Sequence, residues 1–188
     1  MKLKNNITGT HIRLRTATED DAQFILDLRL NPKLNKYLTK TDPSVEKQKE
    51  WLRAKLYQEN DYHMIIESLK GEPLGVVAVY NINPLGKTFE WGRWIVKPEA
   101  PKFTGLESAL LCYELAFDHL GLQKAIFGVM HENERVISFH RRFGATIVRE
   151  DPDGPWFEFT KEDFEKVREK YLRFIQGKDE EQKKEDES

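Results

Sequence analysis

The sequence predicts an α/β chain of the α+β kind, one domain in which a mixed β-sheet is flanked by helices. Three observations predict it. Strand-like and helix-like segments follow in the order βααβββαβαββ, with no internal repeat and no linker that would separate a second domain. Residues 88–145 hold two apolar strands, each followed by a helix that a glycine terminates. The chain has 188 residues, 39% of them hydrophobic, enough to bury one substantial core.

The elements can be justified in turn. Residues 11–15 alternate as a short strand with Ile12 and Leu14 on one face. Thr18 and Asp21 form a capping-box pattern that opens a helix to Leu30, which Asn31-Pro32 stops. Residues 33–43 form a loop with a helical turn near Leu34 to Leu38, and Ser44 caps a second helix to about Glu59. Residues 62–68 and 73–80 are strands joined by a hairpin turn at Lys70-Gly71. After a turn-rich link, residues 88–97 form a buried strand rich in aromatic and β-branched side chains, ended by Pro98. Gly105 opens a helix carrying Leu106, Leu110, Tyr113, Phe117 and Leu120 at helical spacing, and Gly121 closes it. A strand over 124–130 precedes a short helix that starts at Asn133 and places Val136, Phe139, His140 and Phe143 on one face before Gly144. Strands over 145–150 and 156–160 flank the Asp151–Pro155 loop, and Thr160 caps a last helix with Phe164, Val167, Tyr171 and Phe174 inward. The single domain spans 1–176. Residues 177–188 are a mixed-charge tail without an apolar residue, expected to be disordered.

Composition narrows the function. A formal charge of −2 gives no basic field for nucleic acid. A lone Cys112 rules out an intrachain disulfide and suits a reducing compartment, with core filling as its ordinary role. No apolar run reaches the ~18 residues a membrane span needs. The first residues lack a secretory signal, so a cytoplasmic location is expected. No cluster has metal-ligand spacing and no G-x-S-x-G elbow is present, so neither metal nor serine-hydrolase chemistry is expected.

The chemistry gathers at the strand, turn and helix around residue 105. The first N–H groups of a helix have no intrahelical acceptor, and with the positive end of the helix dipole they attract anions. Lys102, Phe103, Thr104, Gly105, Leu106 and Glu107 lie on that terminus. Gly105 lets a phosphate approach the backbone, and Lys102 adds a cation. The turn matches neither G-x-G-x-x-G nor the triphosphate loop G-x-x-x-x-G-K-[ST].

With the block that follows it, this segment resembles the Gcn5-related N-acetyltransferase superfamily. The family loop [QR]-x-x-G-x-[GA] corresponds to Lys102-x-x-Gly105-x-Glu107, and an Asn-led helix ending like FYxxxGF corresponds to Asn133 through Phe139, His140, Phe143 and Gly144. The resemblance covers about residues 8 to 160, with the flanking elements in the expected order. It implies a mostly antiparallel, twisted sheet and acetyl-CoA as cosubstrate. It also implies transfer of the acetyl group to an amine, a backbone oxyanion donor near Ile95 or Val96, and pantetheine contact by Asn133. Ser108 and Phe139 complete the implied coenzyme contacts. Two positions depart from the family: Lys102 stands for Arg or Gln, and Glu107 for a small residue. A carboxylate there opposes a phosphate, so Glu107 must point away.

An ammonium must lose a proton before attack, and Glu90, inside the central strand beside Trp91 and near Trp94, is the candidate base; a surface ion pair is its ordinary alternative. His140 stands where the family often has a tyrosine acid, and its ordinary pKa of ~6.5 suits protonation of a thiolate; a core role is the alternative. His131 is a lesser rival, whereas His11, His63 and His119 carry no motif. As an N-cap, Asn133 has a structural account of its own.

The N-terminal part, from Ile12 and Arg13 through Asp20, Asp21, Arg29, Asn31-Pro32 and Trp51, looks like the branch that holds ribosomal-protein N-terminal acetyltransferases and bacterial nucleotide-aminosugar N-acetyltransferases. Residues 107–114 and 136–140 resemble the aminosugar side, which implies an amine on a nucleotide-linked sugar in surface-glycan or flagellin-glycan synthesis. Arg29, Tyr37, Trp91, Arg93 and Trp94 are candidates to contact such a substrate. A peptide N-terminus is the rival acceptor, which Asp151 and Asp153 would suit. A non-catalytic acyl-CoA-binding module is the rival from another class. An exposed strand edge near the C-terminus would allow a homodimer.

Overall fold

A computed structural model describes the backbone of residues 1–186 and the side chains of residues 1–176. In chain order it contains β1 (Ile7–Thr8), β2 (Ile12–Thr16), a 3-10 turn (Glu19–Asp21), α1 (Ala22–Leu30), α2 (Val45–Tyr57), β3 (Tyr62–Ser68), β4 (Pro73–Asn83), β5 (Thr88–Val96), α3 (Thr104–Glu114), β6 (Lys124–Gly128), α4 (Glu134–Phe143), β7 (Thr146–Asp151), β8 (Gly154–Thr160) and α5 (Lys161–Asp186). The side chains of the charged tail lie outside the described residues, and its backbone is traced as helix to Asp186.

Most expected elements are present, with shifted ends. Thr18 and Asp21 form the capping box, with Asp21 Oδ2 accepting from Thr18 N at 2.8 Å; it caps a single 3-10 turn that leads into α1. Ser44 Oγ accepts from Lys47 N at the start of α2. α3 does not run unbroken to residue 120. From Leu115 to His119 it widens into a π-turn, where Leu120 N donates to the Leu115 carbonyl. β1 and its turn at Gly9 escape sequence reading, because two residues carry no period.

The strands form one sheet in the order β1-β2-β3-β4-β5-β6-β8-β7. Every neighbouring pair is antiparallel except β5 and β6, which are parallel. β3, as YHMIIES, is buried at six successive positions, as expected of a strand covered on both faces. On one face, α3, α4 and α5 cover a core built around Tyr113, which is fully buried and whose hydroxyl accepts from Trp91 Nε1 at 2.9 Å. On the other, α1 and α2 cover Ile25, Leu28, Leu52, Ile65, Val76 and Ile95.

Two irregularities of β5 position the site. β5 and β6 pair only at Thr88↔Lys124 and Phe89↔Ala125, and beyond these the strands diverge. The pairing of β5 with β4 also slips, from Ala78↔Gly92 to Val76↔Ile95, so two β5 residues lie opposite Val77. Arg93 in this bulge has φ of 48°, which a non-glycine residue adopts only when its surroundings hold it there. Asp61 Oδ1 and Oδ2 accept from its Nη1 at 2.8 and 3.0 Å, and the guanidinium stacks 4.3 Å from the Tyr80 ring centre.

Candidate active site

The start of α3 is shaped by a turn far away in sequence. The Glu107 carboxylate, predicted to endanger an anion site, is 1% exposed and faces the β1–β2 turn. Its Oε1 accepts from His11 N at 2.9 Å, and Oε2 lies 3.1 Å from His11 Nδ1. His11 in turn stacks on Phe103 at 4.1 Å. Gly9 is required beneath this clamp, since a Cβ there would lie 2.3 Å from Glu107 Oε1. The Glu107 carboxylate is therefore a structural anchor for the β1–β2 turn. Ser108 is also committed within the protein, its Oγ donating to the Gly105 carbonyl and accepting from Trp94 Nε1. Thr104 is fully buried.

What faces outward is narrower than the expected loop. Lys102 is exposed, and Phe103, Gly105 and Leu106 are half-buried. The first intrahelical bond runs from Glu107 N to the Phe103 carbonyl, so the Gly105 and Leu106 N–H groups precede any helical acceptor. With the acid turned inward, these amides, the helix dipole and Lys102 fit a diphosphate.

Beyond Phe89 the divergence of β5 from β6 opens toward this terminus. Lys97 N donates to the Leu74 carbonyl, and alternation along β5 turns the Val96 N–H the other way, to the side that β6 has left. Of the two candidate donors, Val96 has this aim, whereas Ile95 packs its side chain against Leu28 and Val76. The bulge also places Trp91 and Trp94 on one face, their rings 5.3 Å apart, with Trp94 5.2 Å from Phe139 of α4. Both indoles therefore lie on the α3 face.

His140 reaches between the diverging strands, its ring 5.4 Å from Trp91 on β5 and 4.4 Å from Phe127 on β6. It is 4% exposed and its Nδ1 is enclosed without a hydrogen-bond partner among the described residues. Burial among aromatic rings pushes its pKa down to about 3, so it is a neutral imidazole at ordinary pH. This environment differs from the unperturbed imidazole expected of a thiolate acid. Asn133 departs from its ordinary account too: its side chain makes no capping bond to α4, and only its carbonyl serves the helix, accepting from Val136 N and Ile137 N.

The α1–α2 face is different in kind. A cavity of about 460 Å³ is lined there by Arg29, Thr39, Lys40, Trp51, His63, Arg93 and neighbours, none of them from the loop at residues 102–108. Arg93 and Lys55 share the Asp61 carboxylate. Burial alone would raise that carboxyl, but the two cations outweigh it and hold it below its usual range. Among the described residues Arg29 has only neutral hydrogen-bond partners, with Nε donating to Thr41 Oγ1 at 2.8 Å and Nη2 donating to the Thr39 carbonyl and hydroxyl. Burial, then the charge of Arg93, lowers its pKa. An uncompensated guanidinium in a cavity calls for an anion.

Glu90 pairs across the strands with Tyr80 and so shares the face of Arg93, but it does not line the cavity. It is half-exposed, with Oε1 accepting from Asn81 Nδ2 at 2.9 Å; the two indoles thought to bury it turn to the opposite face. The Tyr37 hydroxyl donates to the Glu132 carbonyl at 2.6 Å, tying the α1–α2 loop to the loop before α4. Of the residues that the sequence suggests for an acceptor, Arg29 and Arg93 line this cavity together. Lys40 and His63 join them there, and no spacing in the sequence connects either to the site.

Comparison with known proteins accords with this geometry. A model of the acetyltransferase (GNAT) domain matches residues 11–146. No curated protein matches the chain. Among solved structures, the apo form of FdhC, a nucleotide-linked sugar GNAT, is 35% identical with a TM-score of 0.84, over 92% of this chain and 99% of that one. Spermidine N-acetyltransferase from Vibrio cholerae, in complex with CoA and spermine, is 18% identical with a TM-score of 0.70, over 81% of this chain and 97% of that one.

Proposed function

The chain belongs to the GNAT acetyltransferase family, whose members use acetyl-CoA, and from that premise we propose that it acetylates the primary amine of a nucleotide-linked aminosugar. The observation that carries this reading is the acceptor cavity, where Arg29 has no carboxylate partner among the described residues, Asp42 is held by Lys47, and Lys40 and the exposed Trp51 stand nearby. A diphosphate satisfies the cations, and the indole offers a stacking surface for a base. A polyamine or a peptide N-terminus would bring a positive charge to the same cations, which opposes both. The 35% identity to a nucleotide-linked sugar GNAT supports the same choice.

Acetyl-CoA supplies an acetyl group already activated as a thioester. The amides of Gly105 and Leu106, with Lys102, hold the diphosphate, and Asn133 reaches the pantetheine arm. The Val96 N–H, aimed to the side that β6 has left, would donate to the oxyanion that forms during attack. An electropositive cavity favours the neutral form of the incoming amine, which eases its deprotonation. Glu90 accepts the proton through water. His140, neutral in its aromatic cage, contributes an N–H hydrogen bond beside the departing sulfur, and solvent supplies the proton itself.

The test is a comparison of acceptors at saturating acetyl-CoA: a UDP-linked 4-aminosugar, spermidine and an N-terminal peptide. We expect kcat/KM for the nucleotide sugar to exceed the others by about 100-fold or more, as a buried charge mismatch implies. Equal or faster turnover of the peptide would overturn the reading in favour of a protein acetyltransferase. Absence of a thermal shift with acetyl-CoA would leave only a non-catalytic module.

A further inference from the structure

Resting on the reading of the large cavity as the acceptor site, we propose that His63 is a specificity-determining residue that fixes the acceptor by a hydrogen bond to one of its sugar hydroxyls. His63 lines the cavity from β3, yet is only 6% exposed. Both ring nitrogens are enclosed and neither has a hydrogen-bond partner among the described residues. The edge-on Trp51 ring, 4.9 Å away at 87°, holds the imidazole in place without satisfying it. Two buried polar atoms without partners are costly in a folded core, and a ligand seated in the cavity is what can meet them.

The surroundings select the chemistry of that ligand. Burial, then the charges of Arg93, Lys55 and Arg29 against the single opposing Asp61, keeps the ring neutral. A neutral imidazole offers one N–H and one lone pair. Phosphate, which only accepts, is better served by Arg29 and Lys40, and an ammonium is repelled by the same cations. A hydroxyl meets either tautomer, donating to the lone pair or accepting from the N–H. The register also sets His63 back from the reaction. It pairs with Ala78, which pairs with Gly92 at the bulge, so two strand spacings, about 10 Å, separate it from β5. It therefore meets a part of the acceptor remote from the attacking nitrogen.

The experiment measures kinetics of His63→Phe and His63→Gln in the full chain, with a UDP-linked 4-aminosugar and saturating acetyl-CoA, beside calorimetry with UDP alone. For His63→Phe, acceptor KM should rise about tenfold or more, with acetyl-CoA KM and UDP affinity within about twofold of wild type. His63→Gln keeps a donor and an acceptor and should restore acceptor KM to within about threefold. An unchanged acceptor KM in His63→Phe, or an equal loss of UDP affinity, overturns the assignment. Should His63→Phe fail to melt cooperatively, His63→Leu is judged by the same criterion. A wild type that neither binds UDP nor acetylates the nucleotide sugar overturns the acceptor reading and this inference with it. A wild type that does both, beside an unaffected variant, overturns the role of His63 alone.

Discussion

The two faces of the sheet present hydrogen-bond donors of different kinds. On the α3 face the donors are backbone amides at Gly105 and Leu106 and at Val96, and the Glu107 carboxylate is folded inward onto His11. On the α1–α2 face the donors are side chains, Arg29, Lys40 and Arg93, gathered from a helix, a loop and a strand. The buried histidines show the same contrast. His140 is kept neutral by aromatic rings alone, whereas His63 is kept neutral by burial and then by surrounding cations. Backbone donors follow from the fold and tolerate sequence change. On the proposed function, side-chain donors would set which acceptor enters, and single substitutions would alter it.

That contrast can be broken most directly at Arg29. Arg29→Gln should raise acceptor KM about 100-fold while acetyl-CoA affinity, measured by calorimetry, stays unchanged. Parallel losses for both substrates would show that the two faces are not independent. The reverse experiment is Gly9→Ala. A methyl group 2.3 Å from Glu107 Oε1 must displace that carboxylate, bringing a negative charge nearer the diphosphate amides. We expect about a tenfold weaker acetyl-CoA Kd with acceptor KM unchanged.

The smallest effect sharpens the histidine comparison and is read in stability. Unfolding returns His140 to an ordinary pKa near 6.5 from about 3 in the fold, so the unfolded chain binds more protons below pH 6.5. Stability conferred by the neutral ring is complete above pH 6.5 and is lost as pH falls toward 3. At pH 5.5 the loss is about 1.4 kcal/mol, since one pKa unit corresponds to that amount. His140→Phe should remove this slope in urea titrations between pH 7 and 5.5, leaving the contribution of His63. A slope identical to wild type would show that His140 is not held neutral.

Much of the coenzyme face was legible in the sequence because its signals are local. Gly105 after a strand, Asn133 before a short helix and Gly144 behind it each mark a backbone feature within a few residues. Glu107 was readable only as a requirement: an acid at that position had to turn away, but its partner, His11, lies 96 residues earlier. The cavity on the α1–α2 face was less legible for the same reason. Arg29 and Arg93 drew notice as cations, yet His63 has meaning only through Trp51 above it and the cations around it, contributed by segments that folding alone brings together. Glu90 and His140 stand out along the chain, but their environments depend on which way each neighbouring ring turns. The bulge at Arg93 decided that, and no residue pattern announced it.

The two-position pairing of β5 with β6 has a consequence for dynamics. A strand whose neighbour departs after Phe89 leaves its outward amides without a ladder, and these should exchange hydrogen readily with solvent in the free enzyme. The extended amide-bearing arm of the coenzyme can lie along that edge much as an added strand would. Loading the donor would then slow exchange selectively near Val96, so that a cosubstrate consumed in every cycle also completes the sheet.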